Sequence, residues 1–288
     1  MNKFIFSLLA FFSCFSLSAQ VYIDAESEVY GTWKLSRSPY IIQGVVYVPE
    51  GKTLTIEPGV VVRFQTGDAE DYSESDFPLG MLRVFGTIVA KGTIKDPIVF
   101  THLEDDEEDD QWGAVHVCSS QSNSVFSYCK FEYARGVVNI PVEDSDNNIN
   151  ATGAVSFYNC GGLVENCLIR YSWAGVNAKG KSKVKVRFCN ILDNKYGLES
   201  NTGAKITVSS CILDDNETGF FLNEDNAISL SYCFVESGSW HDRLKDGGNN
   251  IKDEDDAMFK NKDENDFRLS KKSPCNKKGE GGKNIGMY

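Results

Sequence analysis

The sequence predicts an all-β solenoid in which short strands wind into coils of about 22 residues. Two segments show the repeat, "VKVRFCNILDNKYG" (184–197) and "ITVSSCILDDNETG" (206–219), because their cysteines and their final glycines are separated by the same interval. Both are short β-prone runs that end in Asn, Asp and Gly turns. Helical periodicity is absent from them, which excludes the helical repeat folds.

Cysteines mark equivalent positions along the chain. They are Cys129, Cys167, Cys189, Cys211 and Cys233. The last four are evenly spaced, one repeat apart, and the wider first gap contains a polar insertion at 141–152. An apolar residue stands three positions before and two positions after each cysteine. Because parallel strands in adjacent coils lie about 4.8 Å apart, we expect these side chains to form a stacked cysteine ladder inside the solenoid.

The ladder bears on the redox state of the cysteines. An exported chain with eight cysteines after the segment at 1–19 suggests disulfides by default. In-register cysteines would instead place their Cβ atoms about 4.8 Å apart, beyond the roughly 3.5–4.5 Å that a disulfide prefers. Five members also cannot all pair within one column. We therefore predict free, buried thiols with no chemical role.

The amino terminus predicts export. "MNKFIFSLLAFFSCFSLSAQ" has a lysine, an apolar run and a small-residue exit, which is typical of a secretory signal at 1–19. A lipoprotein anchored through Cys14 is the alternative. No later segment is long and apolar enough to predict a transmembrane helix. Removing the signal takes one lysine from a net charge of -12, which leaves -13 and disfavours a nucleic-acid partner.

The amino-terminal half resembles a known family. "SPYIIQGVVYVPEGKTLTIEPGVVVRF", "VFGTIVAKGTIKDPIVFT" and "WGAVHV" (112–117) resemble secreted right-handed parallel β-helix proteins with the pectin-lyase-like fold. The resemblance implies an entry segment at 20–43, the right-handed β-helix at 44–240 and a closing tail at 241–288. Loops are expected at 65–80, 104–111 and 141–152. Members of this group include lyases, hydrolases, adhesins and structural proteins, so the fold alone does not decide the activity.

Acidic residues recur beside the cysteine column. Asp193 and Asp215 should be neighbours one coil apart, as should Asp214 and Glu236. Like charges this close raise a pKa or attract a cation. The catalytic candidates are Asp193, Asp214, Asp215 and Arg170, and the metal candidates, for calcium, are Asp193, Asp215 and Glu236. The alternative is that these are solvated turn residues.

Aromatic residues suggest a ligand platform. Tyr133 and Tyr171 should stack on one face with Trp173 nearby, and such rings can bind the apolar faces of sugars. Ordinary stacking of exposed aromatic side chains is the alternative. The acidic run at 104–110 is expected to be a self-repelling loop, although a run of carboxylates can also bind calcium.

Three functions remain open from the sequence. The leading one is a non-catalytic, exported β-helix of a bacterial envelope that binds carbohydrate or a cell-surface polymer. The second is a polysaccharide lyase or glycoside hydrolase that acts on acidic glycans. The chain has "NTG" at 201–203 and the pair Asp214 and Asp215, but it lacks the Gly-His-Gly and Arg-x-Lys of polygalacturonase-like enzymes. The third is an adhesin or assembly protein, whose repeats supply length and rigidity.

Overall fold

A computed structural model describes residues 20–66, 79–103, 112–118, 123–141, 148–225, 227–252, 254 and 256–287. The predicted signal at 1–19 and the acidic runs at 67–76 and 104–110 lie outside these ranges. Among the described residues, no helix has the length and apolar character needed to cross a bilayer. The same ranges contain two short 3₁₀ turns, at Leu35–Arg37 and Glu280–Gly282.

The described chain is otherwise made of short strands. In chain order they are β1 (Val21–Ile23), β2 (Gly31–Trp33), β3 (Tyr40–Ile42), β4 (Val45–Val48), β5 (Thr53–Ile56), β6 (Val61–Phe64), β7 (Met81–Val84), β8 (Thr87–Lys91), β9 (Ile98–His102), β10 (Val115–Val117), β11 (Asn123–Ser127), β12 (Cys129–Glu132), β13 (Val137–Pro141), β14 (Asn148–Ala151), β15 (Gly153–Tyr158), β16 (Gly161–Glu165), β17 (Leu168–Arg170), β18 (Ala174–Lys179), β19 (Lys183–Arg187), β20 (Asn190–Leu192), β21 (Tyr196–Asn201), β22 (Lys205–Ser209), β23 (Ile212–Asp214), β24 (Thr218–Leu222), β25 (Ile228–Ser231), β26 (Phe234–Val235), β27 (Lys245–Asp246), β28 (Phe259–Asn261) and β29 (Asp266–Leu269).

Three long parallel sheets form the body of the molecule. The order in sheet A is β1-β3-β6-β9-β12-β17-β20-β23-β26, in sheet B it is β4-β7-β10-β15-β18-β21-β24, and in sheet C it is β2-β5-β8-β11-β16-β19-β22-β25-β27. Each coil passes from sheet C to sheet A to sheet B. Val186 pairs with Val208, Ile191 with Leu213 and Leu198 with Phe220, so the register advances by one sequence repeat per coil. The predicted parallel β-helix is confirmed.

The core fills the interior of the coil. Alternate strand residues point inward, as Val184 and Val186 do in β19, while their neighbours face solvent. In the first half of the chain the interior contains stacked aromatic pairs. The ring centroids are 4.1 Å apart for Phe64 and Trp112, and 4.6 Å apart for Phe100 and Phe131. Continuous stacking of this kind buries apolar area in every coil and extends one core along the whole molecule.

The five repeat cysteines lie at the corner between sheets C and A. All are free and buried, as predicted. In each of the last four coils the thiol donates to the carbonyl oxygen two residues earlier, at 3.2 Å in Cys167 and Cys189 and 3.3 Å in Cys211 and Cys233. The residue between them has a positive φ, which turns the chain and leaves that carbonyl facing inward. The N–H of Cys189 also donates to the Cys211 sulfur over 3.4 Å. Cysteine thus combines a small apolar volume with a donor for the turn.

The carboxyl-terminal tail folds back along the side of the coil. Its residues pack on the outer face of sheet A and form a second apolar cluster. The members from sheet A are Leu168, Leu192, Ile212 and Phe234, and those from the tail are Ala257, Phe267, Cys275, Ile285 and Met287. Strands β28 and β29 pair as an antiparallel hairpin within this tail. The tail therefore covers a lateral face of the β-helix.

One predicted loop contains regular structure. Residues 141–152 were expected to form a polar loop, but Asn148–Ala151 is the strand β14, which pairs antiparallel with β13. Val137, Ile140 and Ala151 pack in a third apolar cluster beside sheet B. The strand was not predicted because most residues of the insertion are polar, which is typical of a loop.

Replacement of Gly197 by Ala tests how closely the coils stack. An added Cβ would lie 2.6 Å from the Gly219 carbonyl oxygen, so the two coils must separate. Because Gly197 has no positive φ, the effect comes from this contact alone. We expect the free energy of unfolding to fall by about 1–3 kcal/mol, measured by urea denaturation.

Gly219→Ala is the matched control. Its added Cβ would meet Ser239 Cβ at 3.0 Å, which is a wider contact than 2.6 Å and involves a residue outside the strands. The decrease in the free energy of unfolding should be smaller than for Gly197→Ala. Equal urea midpoints for the two variants would contradict close stacking at this corner.

Candidate functional site

The corner between sheets A and B places three consecutive residues of each coil in separate columns. The first column faces outward and contains Tyr133, Tyr171, Asp193 and Asp215, with φ between 54° and 66°. The second contains Ala134, Ser172, Asn194 and Asn216, which are buried. The third contains Arg135, Trp173, Lys195 and Glu217. Hydrogen bonds from Trp173 N to Ala134 O (2.8 Å) and from Lys195 N to Ser172 O (3.0 Å) keep the columns in register.

The buried middle column is a polar ladder. The Asn194 side-chain amide donates to the carbonyls of Ile169 and Leu192 and to Asn216 Oδ1, at 2.9–3.1 Å. Asn194 Oδ1 accepts the N–H of Ser172 at 3.1 Å. These bonds satisfy backbone groups that the turn leaves unpaired in the interior. This ladder is not among the predicted features, although the sequence carries its signal, since Asp-Asn recurs one repeat apart at 193–194 and 215–216.

An open groove of about 600 Å³ lies over this corner. It is lined by Tyr133, Arg135, Tyr171, Ser172, Trp173, Asp193, Lys195 and Glu217. The predicted stack of Tyr133 on Tyr171 is confirmed, with ring centroids 5.2 Å apart. The Lys195 ammonium lies 3.7 Å from the centre of the Trp173 ring. Tyr171 and Trp173 are each 38% exposed, so their rings are accessible from the groove.

Arg170 lies beneath this groove rather than in it. Its Nε and Nη2 donate to Glu132 Oε1 at 2.7 and 2.6 Å. Its guanidinium lies 4.7 Å from the Tyr171 ring centre and 5.2 Å from that of Phe267 in the tail. Only 8% of Arg170 is exposed. The Glu132 carboxylate therefore neutralises Arg170, a predicted catalytic residue. The contact between the Arg170 guanidinium and the Tyr171 ring helps to position that ring.

A lysine of the tail neutralises the stacked aspartates. Lys262 Nζ lies 2.7 Å from Asp193 Oδ1 and 2.5 Å from Asp215 Oδ2. Partial burial opposes the charged form of Lys262, but the hydrogen bonds to both carboxylates raise its pKa. Lys262, from another part of the chain, therefore balances the charge of two residues that were predicted as calcium ligands.

The predicted acidic set is divided in the structure. Among the described residues, Asp214, Asp215 and Glu236 have carboxylate oxygens within 4.8 Å of one another, whereas Asp193 is not in that group. Asp214 faces the tail, where its Oδ2 accepts the N–H of Ala257 at 3.2 Å. Burial raises the pKa of Asp214 to about 7, and nearby carboxylates add to the rise. Asp214 is only 2% exposed and does not line the groove.

The fold and this corner define a parallel β-helix protein with an open lateral groove. Residues 112–262 match the family model for a right handed beta helix region, and residues 28–141 match that for a pectate-lyase like beta helix domain. The first match covers more than half of the chain, so the protein belongs to the right-handed β-helix family. A comparison with curated proteins finds no match.

Lys262→Met tests whether the ion pairs hold the tail. Methionine keeps the apolar stem but leaves Asp193 and Asp215 as adjacent like charges. We expect the free energy of unfolding to fall by about 1 kcal/mol at low ionic strength, because these groups are partly solvated. Hydrogen exchange should also become faster in β28 and β29.

Lys260→Met is the control for the loss of one tail lysine. Lys260 is exposed and lies on the same hairpin. The Lys262→Met effect should shrink as salt is added, since screening weakens partly exposed pairs. Equal exchange rates in the two variants would show that the tail does not depend on the Lys262 bridge.

Asp214→Asn tests the buried carboxyl through pH. The native pKa of about 7 exceeds the ordinary 3.8, so the native state binds more protons than the unfolded state between these values. The free energy of unfolding of the wild type should therefore decrease as pH rises through this window, by at most about 1.4 kcal/mol per pH unit.

The Asn variant lacks this proton and should show a flatter profile between the same pH values. The free energy of unfolding of the variant, compared with that of the wild type, should be most favourable above pH 7. Chemical denaturation at several pH values measures it, with Glu224→Gln as the control for removing an exposed carboxylate. Parallel wild-type and Asp214→Asn profiles would contradict the raised pKa.

Proposed function

We propose that this protein is an exported, non-catalytic β-helix that binds carbohydrate in the groove at the corner of sheets A and B. The observation that carries the proposal is the placement of two accessible rings, Tyr171 and Trp173, among charged side chains in an open groove. Aromatic faces bind the apolar faces of sugar rings, and charged groups bind their hydroxyls. The groove crosses several coils, so it suits a polymer better than a single sugar.

Each side of the groove has a separate role in the proposal. The Tyr133 and Tyr171 stack forms one wall, and its geometry is supported by Arg170 beneath the Tyr171 ring. Trp173 and Lys195 form the other wall, in contact with each other. Ser172 lies between the walls, in the buried column. Walls held by such contacts lose little side-chain entropy when a ligand binds.

The charge pairs support binding rather than cleavage. Asp193 and Asp215 share the ammonium of Lys262, and Arg170 is paired with Glu132. Of the two carboxylates that line the groove, Asp193 belongs to these pairs and Glu217 does not. A general base needs a free, accessible carboxylate, but glycoside hydrolysis uses a pair of carboxyl groups, and Glu217 alone does not supply one. Calcium-assisted lysis of acidic glycans, the alternative, would require Lys262 to leave the aspartates. A role in adhesion or assembly is the third candidate. Glycan binding without turnover favours the first candidate over the enzyme, whereas concentration-dependent oligomers without glycan affinity favour the third.

Export is part of the proposal. The apolar segment and small-residue exit of residues 1–19 support secretion to the periplasm, the cell surface or the medium. Such a location would bring the groove into contact with envelope and extracellular polysaccharides. Mass spectrometry of the mature chain in cell fractions tests both the cleavage site and the compartment.

Replacing the two rings tests carbohydrate binding. A glycan array identifies the ligand, and the double variant Tyr171→Asn and Trp173→Ala should weaken its binding by roughly tenfold, since two stacked rings are lost. Asn is chosen at position 171 because it tolerates the positive φ found there. Calorimetry measures the affinity.

Phe221→Ala is the matched control because Phe221 is similarly exposed, at 40%, and does not line the groove. It should bind the ligand as the wild type does. Turnover is followed in parallel by the ultraviolet absorbance of unsaturated products and by reducing ends, with and without EDTA. Turnover of the bound glycan would establish the enzyme instead, and absence of any glycan affinity would refute the proposed function.

A further inference from the structure

A second pocket lies at a different corner, between sheets C and A. It has a volume of about 510 Å³ and is enclosed by the coil on one side and by the loop at 277–287 on the other. The residues that line it are Tyr128, Glu165, Asn166, Arg187, Phe188, Lys277, Gly282, Lys283, Asn284, Gly286 and Met287. None of these residues lines the groove of the proposed function, so the two sites are separate.

Two aromatic residues, Tyr128 and Phe188, line the coil side of the pocket, and the interval between them is called the slot. Tyr128, Asn166 and Phe188 occupy the same corner position in three successive coils, with φ of 49°, 52° and 52°. Tyr128 N donates to Glu165 O, and Asn166 N donates to Arg187 O, which keeps these coils in register. Because coils are about 4.8 Å apart, the two aromatic residues are separated by about 10 Å, with the short Asn166 between them. A ring placed midway would be about 5 Å from each aromatic residue, within the roughly 4.5–7 Å range of stacked rings.

The pocket is positively charged in an acidic protein. Arg187, Lys277 and Lys283 line it against one carboxylate, Glu165, whereas the whole chain has a net charge of -12. Arg187 uses Nε and Nη2 to bind the same Glu165 oxygen, at 3.0 and 2.9 Å, and its side chain remains 48% exposed. The Lys283 ammonium lies 5.0 Å from the Phe188 ring centre. The net charge of the lining is therefore about two positive units, which balances a dianion.

The outer wall is fixed to the coil by hydrogen bonds. Gly286 N donates to Ser210 O at 2.8 Å, and Glu280 N donates to Ser210 Oγ at 2.9 Å. Met287 N donates to Asn190 Oδ1 at 3.1 Å. These bonds hold the backbone that carries Lys277 and Lys283 against the coil, so the loop loses little entropy when a ligand binds.

The approach to the pocket is also basic. Lys185 lies two residues before Arg187 on the same exposed face of β19. Lys183 and Lys205 are direct partners across β19 and β22, so two like charges lie side by side there. A patch of cations in an acidic chain attracts anions toward it from solution.

We propose that this pocket binds a phosphorylated sugar. The phosphate dianion is held by Lys277, Lys283 and Arg187, and the sugar ring enters the slot between Tyr128 and Phe188. A phosphate monoester fits the charge of the lining better than a carboxylate, which carries one negative charge. Phosphate also offers three oxygens to these donors, and charge-assisted bonds of this kind are the strong ones.

Calorimetry at low ionic strength with four probes tests the proposal on the full chain. Glucose 6-phosphate combines both features, inorganic phosphate lacks the ring, glucuronate has one charge, and glucose has none. We expect glucose 6-phosphate to bind most tightly, inorganic phosphate next, and glucose not to bind. Added salt should weaken the binding. Glucuronate binding as tightly as glucose 6-phosphate, or no binding of either phosphate, would overturn the proposal.

The double variant Lys277→Gln and Lys283→Gln should lose at least roughly tenfold in affinity for both phosphates, because two charge-assisted contacts disappear. Lys271→Gln and Lys272→Gln change the charge of the same tail by the same amount outside the pocket, and should bind as the wild type does. Equal losses in the two double variants would indicate only a general charge effect and would refute the site.

Phe188→Asn tests the slot separately from the charges. Asn166 already occupies the equivalent corner with the same φ, so the variant is expected to fold. It should bind inorganic phosphate normally but lose the preference for glucose 6-phosphate over inorganic phosphate. An unchanged preference would contradict the slot. The groove variant Tyr171→Asn and Trp173→Ala should leave phosphate binding intact, so failure of one proposal is distinguishable from failure of the other.

Discussion

The parallel hydrogen bonds between successive coils are the constraint on which the rest of the structure depends. They hold each residue over the equivalent residue of the next coil, about 4.8 Å away. A residue type that suits one coil is therefore repeated as a column. The buried thiols and the asparagine ladder of Asn194 and Asn216 occupy corners where the chain turns. The glycine column that includes Gly197 and Gly219 lies just after a corner, at the start of β21 and β24. The thiols and the amides donate hydrogen bonds to inward-facing carbonyls, and the glycines leave room for the next coil.

The same constraint creates a difficulty on the outside of the molecule. A column that repeats a charged residue places like charges side by side, as with Asp193 and Asp215. The tail resolves this by bringing Lys262 between them and by covering the apolar outer face of sheet A. The tail is thus part of the lateral surface of the β-helix, and it forms one wall of the basic pocket. Both candidate sites lie at corners, where outward side chains of successive coils form adjacent columns.

Much of this arrangement could be predicted from the sequence because it is periodic. Alignment of the repeats on their cysteines predicted that Tyr133 would stack on Tyr171, and that Asp214 would be near Glu236. Lys262 could not be predicted, because it is 69 and 47 residues from its two partners and belongs to no repeat. Arg170 was expected beside the cysteine column and is there, but its burial depends on Glu132 and on Phe267 of the tail. The middle column of asparagines was predictable and was missed, since asparagine is common in solvated turns and does not by itself indicate burial.

The sequence by itself determined the strand period, the parallel coils, the buried and free cysteines, and the aromatic pair of the groove. These properties depend on contacts between residues that are one repeat apart in the sequence, and the repeat length can be read from the sequence directly. Only the tertiary structure decided which face of the coil the tail covers, which carboxylates Lys262 neutralises, and where the basic loop meets the corner at Tyr128 and Phe188. The tail has no periodic relation to the coils. Its position is set by the apolar surface it buries and the charges it pairs, and both exist only after the coils have stacked.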